Sequence, residues 1–480
     1  MKREQKTGGA HYDVTIIGGG SGGLIAARLA MTLGAKVLLI DRERLGGDCL
    51  YYGCVPSKSL IHVARMAHQA RNMADLGLAS LAPQVEMGRV SEYIQGVIKR
   101  VETNEEALTE GVDVRFGRVE FQTATTLVLN GELIHSRNTI IATGSHPAIP
   151  PIEGLAETGY LTNEGVFDLT HLPTSLVVVG GGPIGVELSQ AFARLGTQVT
   201  LIQGPERLLP REDPEVSEAI TSVLQNDGVK ILTNTRLIRA RRQGTGRVVT
   251  VRCGAEEREI EADELLLAVG RQPNVAGLNL EAAGIKYDSK GIAVDAYLQT
   301  SASPILAVGD VLGGYLFTHV AAYQAGIAVR NALVTIAKKR VDYRVVPWCT
   351  FTDPEAARVG LTLAEAQREH TQVRVAKFPY AAIDRAQTEH ATIGFIKLIL
   401  AGKKDEIVGV HIVGVQGGEL LGELALAMSK RLTLNHIVGT IHAYPTIASG
   451  LQQATFEAYL GSAGMHSNRK LVRMLLALRH

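Results

Sequence analysis

A strand–turn–helix–strand unit with three spaced glycines occurs twice in this sequence, and the repeat constrains the fold more than any other feature. In each copy an apolar run leads into the glycines, a stretch of helical period follows, and a second apolar run ends the unit. The glycines of the two copies are Gly18, Gly20 and Gly23, and Gly180, Gly182 and Gly185. Two such units predict two doubly wound α/β domains that bind nucleotides.

Each glycine of such a unit has its own physical role. The first permits the tight turn after the strand, the second lets the backbone approach a pyrophosphate, and the third lets the helix pack close to the strand. The helix N-terminus then faces the phosphates. A single glycine-rich turn is common in proteins, but the correct context on both sides, present twice, favours nucleotide binding.

The two units differ in the residue that follows their second apolar run. The first unit has Asp41, whose carboxylate can bond a pair of ribose hydroxyls, whereas the second has the uncharged Gln203. A carboxylate here favours NAD and repels a 2′-phosphate, so its absence permits NADP. Arg207 is either a partner for that phosphate or an ordinary surface arginine. The sequence favours NADPH over NADH and leaves both open.

Shorter apolar runs that end in glycine indicate further strands of the same α/β layout. Such runs end at Gly144 and Gly270, and another ends at Gly309 with Asp310 directly after it. Open α/β sheets bind ligands at the carboxyl ends of their strands, so these positions are candidate binding positions.

The pattern changes in the last third of the chain. Alternating runs after position 343, followed by helical stretches near 417–431 and 446–460, predict a third domain of the α+β class. We therefore expect a first nucleotide-binding domain from two segments, a second nucleotide-binding domain, a C-terminal domain and a short tail. The predicted boundaries are 1–152 and 273–342, 153–272, 343–465 and 466–480.

Length and composition restrict the class of protein. The chain has 480 residues with a formal net charge of +1, so no global basic field points to a nucleic acid partner. Four cysteines in this length exclude a disulfide scaffold. The polar start is unlike a secretory signal, and no apolar run reaches the roughly 18 residues that a spanning helix needs. We expect a cytoplasmic protein.

Two cysteines, Cys49 and Cys54, lie in the segment GGDCLYYGCVPSK, close to the first nucleotide unit. Positions five apart on a straight helix rise about 7.5 Å, whereas a disulfide needs Cα atoms roughly 4.4–6.8 Å apart. The pair can bridge only across an irregular turn, for which Gly53 supplies the freedom. Pro56 suits the first turn of a following helix, whose N-terminus favours thiolate.

A redox-active pair is favoured over two structural thiols at this place. The spacing is not that of a zinc ribbon, and no second pair completes a tetrahedral site. The other two cysteines, Cys253 and Cys349, stand alone in strand-like runs and are interpreted as buried core thiols.

The segment GGDCLYYGCVPSK resembles the redox-active segment of the class I pyridine nucleotide-disulfide oxidoreductases. The resemblance continues in order over nearly the whole chain, through the second glycine unit, the run Gly-Arg-Gln-Pro-Asn at 270–274, and Gly309-Asp310. It implies FAD on the first unit and NADPH or NADH on the second. It also implies a C-terminal dimerisation domain and a homodimer whose active site is shared between the subunits.

The resemblance assigns roles to individual residues. Cys54 is expected to contact the flavin as the charge-transfer thiol, and Cys49 to be the outer thiol that meets the acceptor. Lys58 is expected to pair with Glu187, and Asp310 to bind the ribityl or phosphate region of FAD. Further cofactor contacts are expected at Gly47, Lys58, Thr143, Gly144, Gly270, Arg271, Gly309 and His319.

The C-terminal segment departs from the disulfide reductases of this family. Those enzymes have a His-Pro pair as acid–base, with a glutamate five residues after the histidine. Here Tyr444 stands in the place of the histidine and Ser449 in that of the glutamate. A tyrosine with a pKa of about 10 is a poor proton shuttle at neutral pH. His442 is a replacement only if it shares a face with Tyr444, as it would in a strand.

The mercuric reductase branch is the nearer resemblance, because it also has a tyrosine at this place and its acceptor is a metal ion. No metal ligand is certain, but Cys49 and Cys54 are the candidates if the acceptor is Hg(II). Two expected parts of that branch, a C-terminal cysteine pair and an N-terminal metal-binding module, have no counterpart here. Asp48, where relatives often have threonine, adds a negative charge that we expect to oppose thiolate formation at Cys49.

The last residues form a basic amphipathic pattern in which leucines alternate with Arg469, Lys470, Arg473 and Arg479. This pattern predicts a helix that either contacts an anionic membrane peripherally or packs against its own dimer.

These observations predict an FAD-dependent oxidoreductase that passes electrons from NAD(P)H through the Cys49–Cys54 disulfide to a small acceptor, in the manner of mercuric reductase. Three alternatives stay open. The first is an NAD(P)H dehydrogenase or diaphorase that reduces quinones or oxygen at the flavin. The second is a dihydrolipoamide dehydrogenase-like enzyme that uses His442, and the third is a flavoprotein without useful turnover.

Overall fold

The computed structural model describes residues 10–334 and 336–478. The first glycine unit folds into a strand, a helix and a second strand as predicted, and the cysteine segment follows it as two helices. The elements of this first part are β1 (Ala10–Ile17), α1 (Ser21–Thr32), β2 (Val37–Asp41), α2 (Gly47–Tyr51), α3 (Cys54–Arg71), α4 (Met87–Glu106), β3 (Asp113–Phe116), β4 (Val119–Thr123), β5 (Thr126–Leu129), β6 (Glu132–Ile141) and β7 (Ser145–Pro147).

The second glycine unit forms a separate parallel sheet with the order β10–β9–β8–β14, and an antiparallel sheet β11–β12–β13 lies beside it in sequence. Valine and leucine fill both faces of these parallel strands, which is typical of a sheet covered on both sides. The elements are α5 (Leu155–Thr158), β8 (Ser175–Val179), α6 (Pro183–Leu195), β9 (Gln198–Ile202), α7 (Pro214–Asn226), β10 (Lys230–Leu232), β11 (Thr235–Gln243), β12 (Gly246–Cys253), β13 (Glu256–Ala262) and β14 (Glu264–Leu267).

The chain then returns to the first sheet. β18 pairs in parallel with β6, which itself pairs in parallel with β1, and β15 pairs with β7 in the antiparallel sense. The first nucleotide-binding sheet therefore contains strands from the chain segments that precede and follow the second domain in sequence. The returning elements are β15 (Arg271–Pro273), β16 (Tyr287–Asp288), β17 (Gly291–Ile292), β18 (Ile305–Ala307) and α8 (Thr318–Leu333).

The last part is an antiparallel sheet with helices packed on it, which confirms the predicted α+β class. Its strand order is β19–β20–β23–β22–β21. The elements are β19 (Pro347–Thr350), β20 (Glu355–Gly360), α9 (Leu363–Glu369), β21 (Val373–Pro379), α10 (Asp384–Thr388), β22 (Phe395–Ala401), β23 (Glu406–Gly414), α11 (Gly417–Ser429), α12 (Leu434–Val438), α13 (Ile447–Leu460) and α14 (Ala463–Ala477).

The predicted tail pattern lies on α14, which begins three residues earlier than expected. Its leucines are at least half exposed among the residues that the structure describes. Arg479 of the predicted basic set lies outside the described residues. Among the helices that the structure describes, none is long and apolar enough to cross a membrane.

Candidate active site

The first glycine turn is shaped partly by the fold and partly for a ligand. Gly18 has a φ of +108°, and a Cβ on it would collide with the carbonyl oxygen of Ala142. A Cβ on Gly23 would collide with the carbonyl oxygen of Gly18. Gly20 differs, because a Cβ there would meet nothing nearer than the Cα of Gly47 at 3.7 Å, and it lines an open cavity. Its lack of a side chain therefore fits the close approach of a pyrophosphate.

The second glycine turn repeats this geometry. Gly180 has a φ of +114°, and a Cβ on Gly185 would collide with the carbonyl oxygen of Gly180. Gly182 has no atom within 4 Å of such a Cβ and also lines the cavity. Each turn thus leaves one glycine free to face a dinucleotide at the N-terminus of the following helix.

The residues that end the second strands brace the two turns in the same way. Asp41 Oδ2 accepts a hydrogen bond of 2.7 Å from the Gly19 amide, and Gln203 Oε1 accepts one of 2.8 Å from the Gly181 amide. The glutamine reproduces the bracing function of the carboxylate without its charge. The second cradle therefore lacks the negative group that would repel a 2′-phosphate.

Both glycine turns and both cysteines line one cavity of about 2790 Å³. This volume is large enough for two dinucleotides, since drug-sized pockets measure roughly 300–1,000 Å³. Most of the residues predicted to contact the cofactors lie on its wall. These are Gly18, Gly20, Asp41, Gly47, Lys58, Thr143, Gly144, Gly180, Gly182, Gln203, Gly270, Arg271, Gly309, Asp310 and His319. Gly23 and Gly185 act instead in packing the helix against the strand.

The cysteine pair sits at a break between two helices, as the spacing required. α2 ends at Tyr51 and α3 begins at Cys54, so the Cys54 thiol lies at a helix N-terminus. The thiols of Cys49 and Cys54 are free in this structure. Gly53 permits the break, because a Cβ there would lie 3.0 Å from the carbonyl oxygen of Asp48 and 3.1 Å from the Cα of Cys49.

The two thiols have opposite acidities. The pKa of Cys54 is lowered to about 6, chiefly by hydrogen bonding from Cys49 and also by the charge of Lys58 and a contact with Thr318, against the effect of burial. Hydrogen bonding to Cys54 together with burial raises the pKa of Cys49. Thr318 Oγ1 lies 3.7 Å from Cys54 Sγ. Cys54 is therefore the thiolate of the reduced pair and Cys49 the thiol.

An ion pair joins the cysteine helix to the second nucleotide-binding domain. Lys58 Nζ lies 2.9 Å from Glu187 Oε2, and Glu187 Oε1 accepts a hydrogen bond of 2.8 Å from the Phe351 amide. The Lys58 ammonium also lies 4.4 Å from the centre of the Phe351 ring. Burial by itself would lower the pKa of Lys58, but the charges of Glu187 and Cys54 raise it. Lys58 is thus a fixed cation beside the Cys54 thiol.

Asp310 is held by a second polar cluster on the cavity wall. Ser145 Oγ donates a hydrogen bond of 2.7 Å to Asp310 Oδ2, and Arg271 Nε donates one of 2.7 Å to Ser145 Oγ. Arg271 also forms an ion pair of 2.9 Å with Asp48. The negative charge expected to oppose thiolate formation at Cys49 is therefore partly compensated by the guanidinium of Arg271, which no sequence motif placed beside it.

Tyr444, His442 and Ser449 do not line the cavity of their own chain. Tyr444 is 69% exposed, and its hydroxyl donates a hydrogen bond of 2.8 Å to Asp384, which raises the pKa of the phenol. Ser449 Oγ donates to the Thr446 carbonyl in the first turn of α13. A phenol bound in this way is a poor proton shuttle near neutral pH.

His442 does not share the surroundings of Tyr444. Its Nε2 lies 3.1 Å from Glu423 Oε1 on α11, and its Nδ1 lies 3.0 Å from the Thr440 carbonyl oxygen. The imidazole side chain is only 7% exposed. The strand-like arrangement that would bring the two rings to one face is absent, because residues 441–443 form no strand in the structure.

The interpretation of Cys253 as a buried core thiol was wrong, whereas Cys349 does pack against a hydrophobic core, although it is only partly buried. Cys253 is exposed at the end of β12 instead of lying in a core, because the strand end reaches the surface. Cys349 on β19 is half-buried and lines the cavity, and burial raises the pKa of its thiol. Neither joins a metal site, since no cluster of three or more His, Cys, Asp or Glu side chains suited to a metal occurs in the described parts of the chain.

Sequence reasoning missed several partners of the site residues. These are Thr318 beside Cys54, Ser145 between Arg271 and Asp310, Asn163 beside Asp48, and Glu423 beside His442. Thr318 had a sequence signal, because it directly precedes the candidate His319. The others come from distant segments without a motif of their own.

Two family profiles match the chain. The profile described as pyridine nucleotide-disulphide oxidoreductase matches residues 12–325, and the dimerisation domain of the same family matches residues 346–455. This chain belongs to the pyridine nucleotide-disulphide oxidoreductases. Members of this family use FAD and NAD(P)H, which the two glycine cradles fit, and the matched dimerisation domain supports a homodimer.

Relatives within the family carry different activities. The chain is 37% identical to a mercuric reductase of Staphylococcus aureus, over 92% of this chain and 82% of the relative. It is 38% identical to a mercuric reductase of Bacillus cereus, over 93% of this chain and 71% of the relative. It is 36% identical to a dihydrolipoyl dehydrogenase of Thermus scotoductus, over 92% of this chain and 96% of the relative.

A solved structure shows the same fold. The HOCl-induced flavoprotein disulfide reductase RclA from Escherichia coli superposes with a TM-score of 0.83 at 30% identity, over 92% of this chain and 99% of RclA. A Cu(II) complex of RclA matches equally well, with a TM-score of 0.83. The comparisons therefore establish a family oxidoreductase and leave the acceptor to be argued from the site.

Proposed function

We propose that this oxidoreductase passes electrons from NAD(P)H through the Cys49–Cys54 pair to a thiophilic metal cation. The observation that carries the proposal is the hydrogen bond from Tyr444 to Asp384. It holds an exposed phenol at the position where the disulfide reductases that the chain resembles have an imidazole. A departing thiolate of a disulfide substrate needs a proton donor. A metal ion that leaves two thiolates needs none.

The residues on the cavity wall divide the remaining tasks. Gly20, Asp41 and Asp310 would hold FAD, and Gly182 and Gln203 would hold the nicotinamide dinucleotide. FAD, when bound, would accept hydride from the nicotinamide and pass electrons on to the cysteine disulfide, or to a metal ion bound by the two thiolates.

Lys58 places a positive charge beside Cys54, which favours the thiolate form that binds a soft cation. For Hg(II) the overall balance is that NAD(P)H and Hg(II) give NAD(P)+, Hg(0) and one proton.

The comparisons support a metal acceptor without deciding it. Mercuric reductases are among the relatives at 37% and 38% identity, and the fold is shared with a protein solved as a Cu(II) complex. Both cysteines line the open cavity, and Cys54 is exposed. A cation that enters this cavity therefore meets two sulfur ligands of which one is already ionised near neutral pH.

A second candidate function rests on His442 and Glu423. The His442 Nε2 lies 3.1 Å from the Glu423 carboxylate, and an imidazole next to a carboxylate is the acid–base pair that a disulfide substrate requires. A dihydrolipoyl dehydrogenase relative, at 36% identity, agrees with this candidate. Against it, the imidazole is almost completely buried in its own subunit.

An acceptor panel with matched variants separates these functions. NADPH and NADH oxidation is followed anaerobically with Hg(II), Cu(II), lipoamide, glutathione disulfide and a quinone, for the wild type, Cys49→Ser and the control Cys253→Ser. We expect turnover with a metal cation that is lost in Cys49→Ser and kept in Cys253→Ser. Strong lipoamide turnover that His442→Ala abolishes would establish the second candidate instead. Quinone turnover that survives in Cys49→Ser would identify a diaphorase.

A further inference from the structure

The carboxylate of Asp48 lies close to the turn that joins the two redox cysteines. Asp48 directly precedes Cys49 in α2, and a Cβ built on Gly53, the residue before Cys54, would lie 3.2 Å from Asp48 Oδ2. The side chain is 32% exposed on the wall of the main cavity. A charge at this position is felt at the thiol that meets the acceptor, because at short range it is only partly screened by solvent.

Arg271 holds this carboxylate from the inner side. Its Nη2 lies 2.9 Å from Asp48 Oδ1, which also accepts a hydrogen bond of 3.3 Å from the Asn163 amide. The guanidinium is fixed in turn by Ser145, through hydrogen bonds of 2.7 Å to the hydroxyl and 2.9 Å to the carbonyl oxygen. Since its side chain is only 11% exposed, the guanidinium is the more deeply placed member of the pair.

The cluster contains more acids than bases. Asp310 Oδ2 lies 3.8 Å from Arg271 Nε, so two carboxyl groups share a single guanidinium. Asp48 is the most exposed of the three side chains, and it is also the one adjacent in sequence to Cys49. The field that an incoming acceptor meets therefore contains a negative contribution that Arg271 limits but does not cancel.

We propose that Asp48 and Arg271 form a specificity-determining pair that makes the approach to Cys49 favour cationic over anionic acceptors. The proposal rests on the proposed function in one respect, since a metal cation is the acceptor that such a field would favour. Glutathione disulfide, which is anionic at neutral pH, is the type of acceptor that it would disfavour. Neither residue needs to contact the acceptor, because the charge acts through the local potential.

The local potential can be measured without any turnover. Iodoacetate and iodoacetamide alkylate the same thiolate but differ in charge, so the ratio of their rates at one cysteine reports the potential there and cancels the thiolate fraction. The holoenzyme is reduced with dithiothreitol, freed of it under nitrogen and alkylated, and the modified cysteines are identified by peptide mass spectrometry. Cys253, exposed far along the sequence, is an internal reference in every sample.

For Asp48→Asn we expect the iodoacetate to iodoacetamide ratio at Cys49 to rise about three- to tenfold at low ionic strength and to shrink with added salt. For Arg271→Gln we expect the ratio to fall. The ratio at Cys253 should stay constant in both. A merely structural role would change both variants in the same direction, whereas a charge pair changes them in opposite directions.

The control for Asp48→Asn is Glu43→Gln, which removes the same charge from an exposed residue elsewhere on the cavity wall. An unchanged ratio in Asp48→Asn, or an equal rise in Glu43→Gln, would overturn the proposal even if Arg271→Gln failed to fold. The outcome is separate from that of the proposed function. A raised ratio in a protein that reduces no metal would refute the metal acceptor alone, and metal turnover with an unchanged ratio would refute only the role of Asp48.

Discussion

Lys58 Nζ lies 2.9 Å from Glu187 Oε2, and this ion pair ties the helix that begins at Cys54 to the helix that follows the second glycine turn. Glu187 is buried, and its Oε1 also accepts a hydrogen bond from the backbone amide of Phe351 in the third domain. One carboxylate thus joins three parts of the chain beside the redox thiol. The position of Lys58, and with it the charge next to Cys54, depends on this residue.

Glu187→Gln should destabilise the protein while preserving its shape. The amide keeps the hydrogen bond to Phe351 but leaves the ammonium of Lys58 without its counter-charge in a partly buried site. We expect a loss of about 1–3 kcal/mol in the free energy of unfolding, seen as a lower Tm in a thermal melt. Glu218→Gln, on the exposed side of α7, is the matched control and should leave the Tm unchanged. Equal Tm values for the two variants would show that the ion pair contributes nothing.

The reactivity of Cys54 should follow an unusually acidic midpoint. Since the pKa of Cys54 is lowered to about 6, its thiolate is populated above that pH and lost as the pH falls through it. The iodoacetamide rate at Cys54 in the reduced protein should therefore reach half its plateau near pH 6. Lys58→Met should move the midpoint upward, because it removes a positive charge that stabilises the thiolate. A midpoint near that of an ordinary thiol, about 8.5, would contradict the lowered pKa.

Tyr444 should be dispensable for metal reduction. Its hydroxyl donates to Asp384, and reduction of a metal cation needs no proton from it, so Tyr444→Phe should keep the metal-dependent rate within about twofold. Tyr444→His combined with Ser449→Glu should raise lipoamide turnover if the missing acid–base pair limits it, since such groups contribute roughly 10²–10⁴-fold. A Tyr444→Phe protein that loses metal reduction would show that the phenol takes part in the reaction.

Arg207 should distinguish the two nicotinamide cofactors. It lines the cavity near Gln203, which offers no negative charge to a 2′-phosphate. We expect Arg207→Ala to raise the KM for NADPH about tenfold and to leave the KM for NADH nearly unchanged, because only the former carries the phosphate. Steady-state kinetics with both cofactors measures the difference. A parallel change in both KM values would assign Arg207 to the surface.

The glycine units and the cysteine segment were predictable because their signals are local. The strand, the turn and the helix are consecutive in sequence, so the spacing of Gly18, Gly20 and Gly23 already defines the cradle. The break between α2 and α3 followed from the distance that a disulfide can span and from Gly53. The resemblance supplied the partner of Lys58, and the structure brings Glu187 to it at 2.9 Å.

The electrostatics of the site were not predictable from sequence, because they depend on contacts between distant segments. The sequence showed a negative charge at Asp48 but not the guanidinium of Arg271 that partly compensates it. It offered His442 as a replacement for the missing imidazole, but not its partner Glu423 on α11. Cys349 shows the same limit, since an isolated thiol in a strand gives no sign that it lines the cavity.

Reducing power from the nicotinamide should reach the two sulfurs of the cysteine pair. The direct measurement counts alkylated thiols by mass spectrometry before and after anaerobic addition of NADPH to the oxidised holoenzyme. We expect two new modified residues, Cys49 and Cys54, with Cys253 and Cys349 unchanged. If the flavin is reduced while neither Cys49 nor Cys54 becomes reactive, the cysteine pair does not relay electrons.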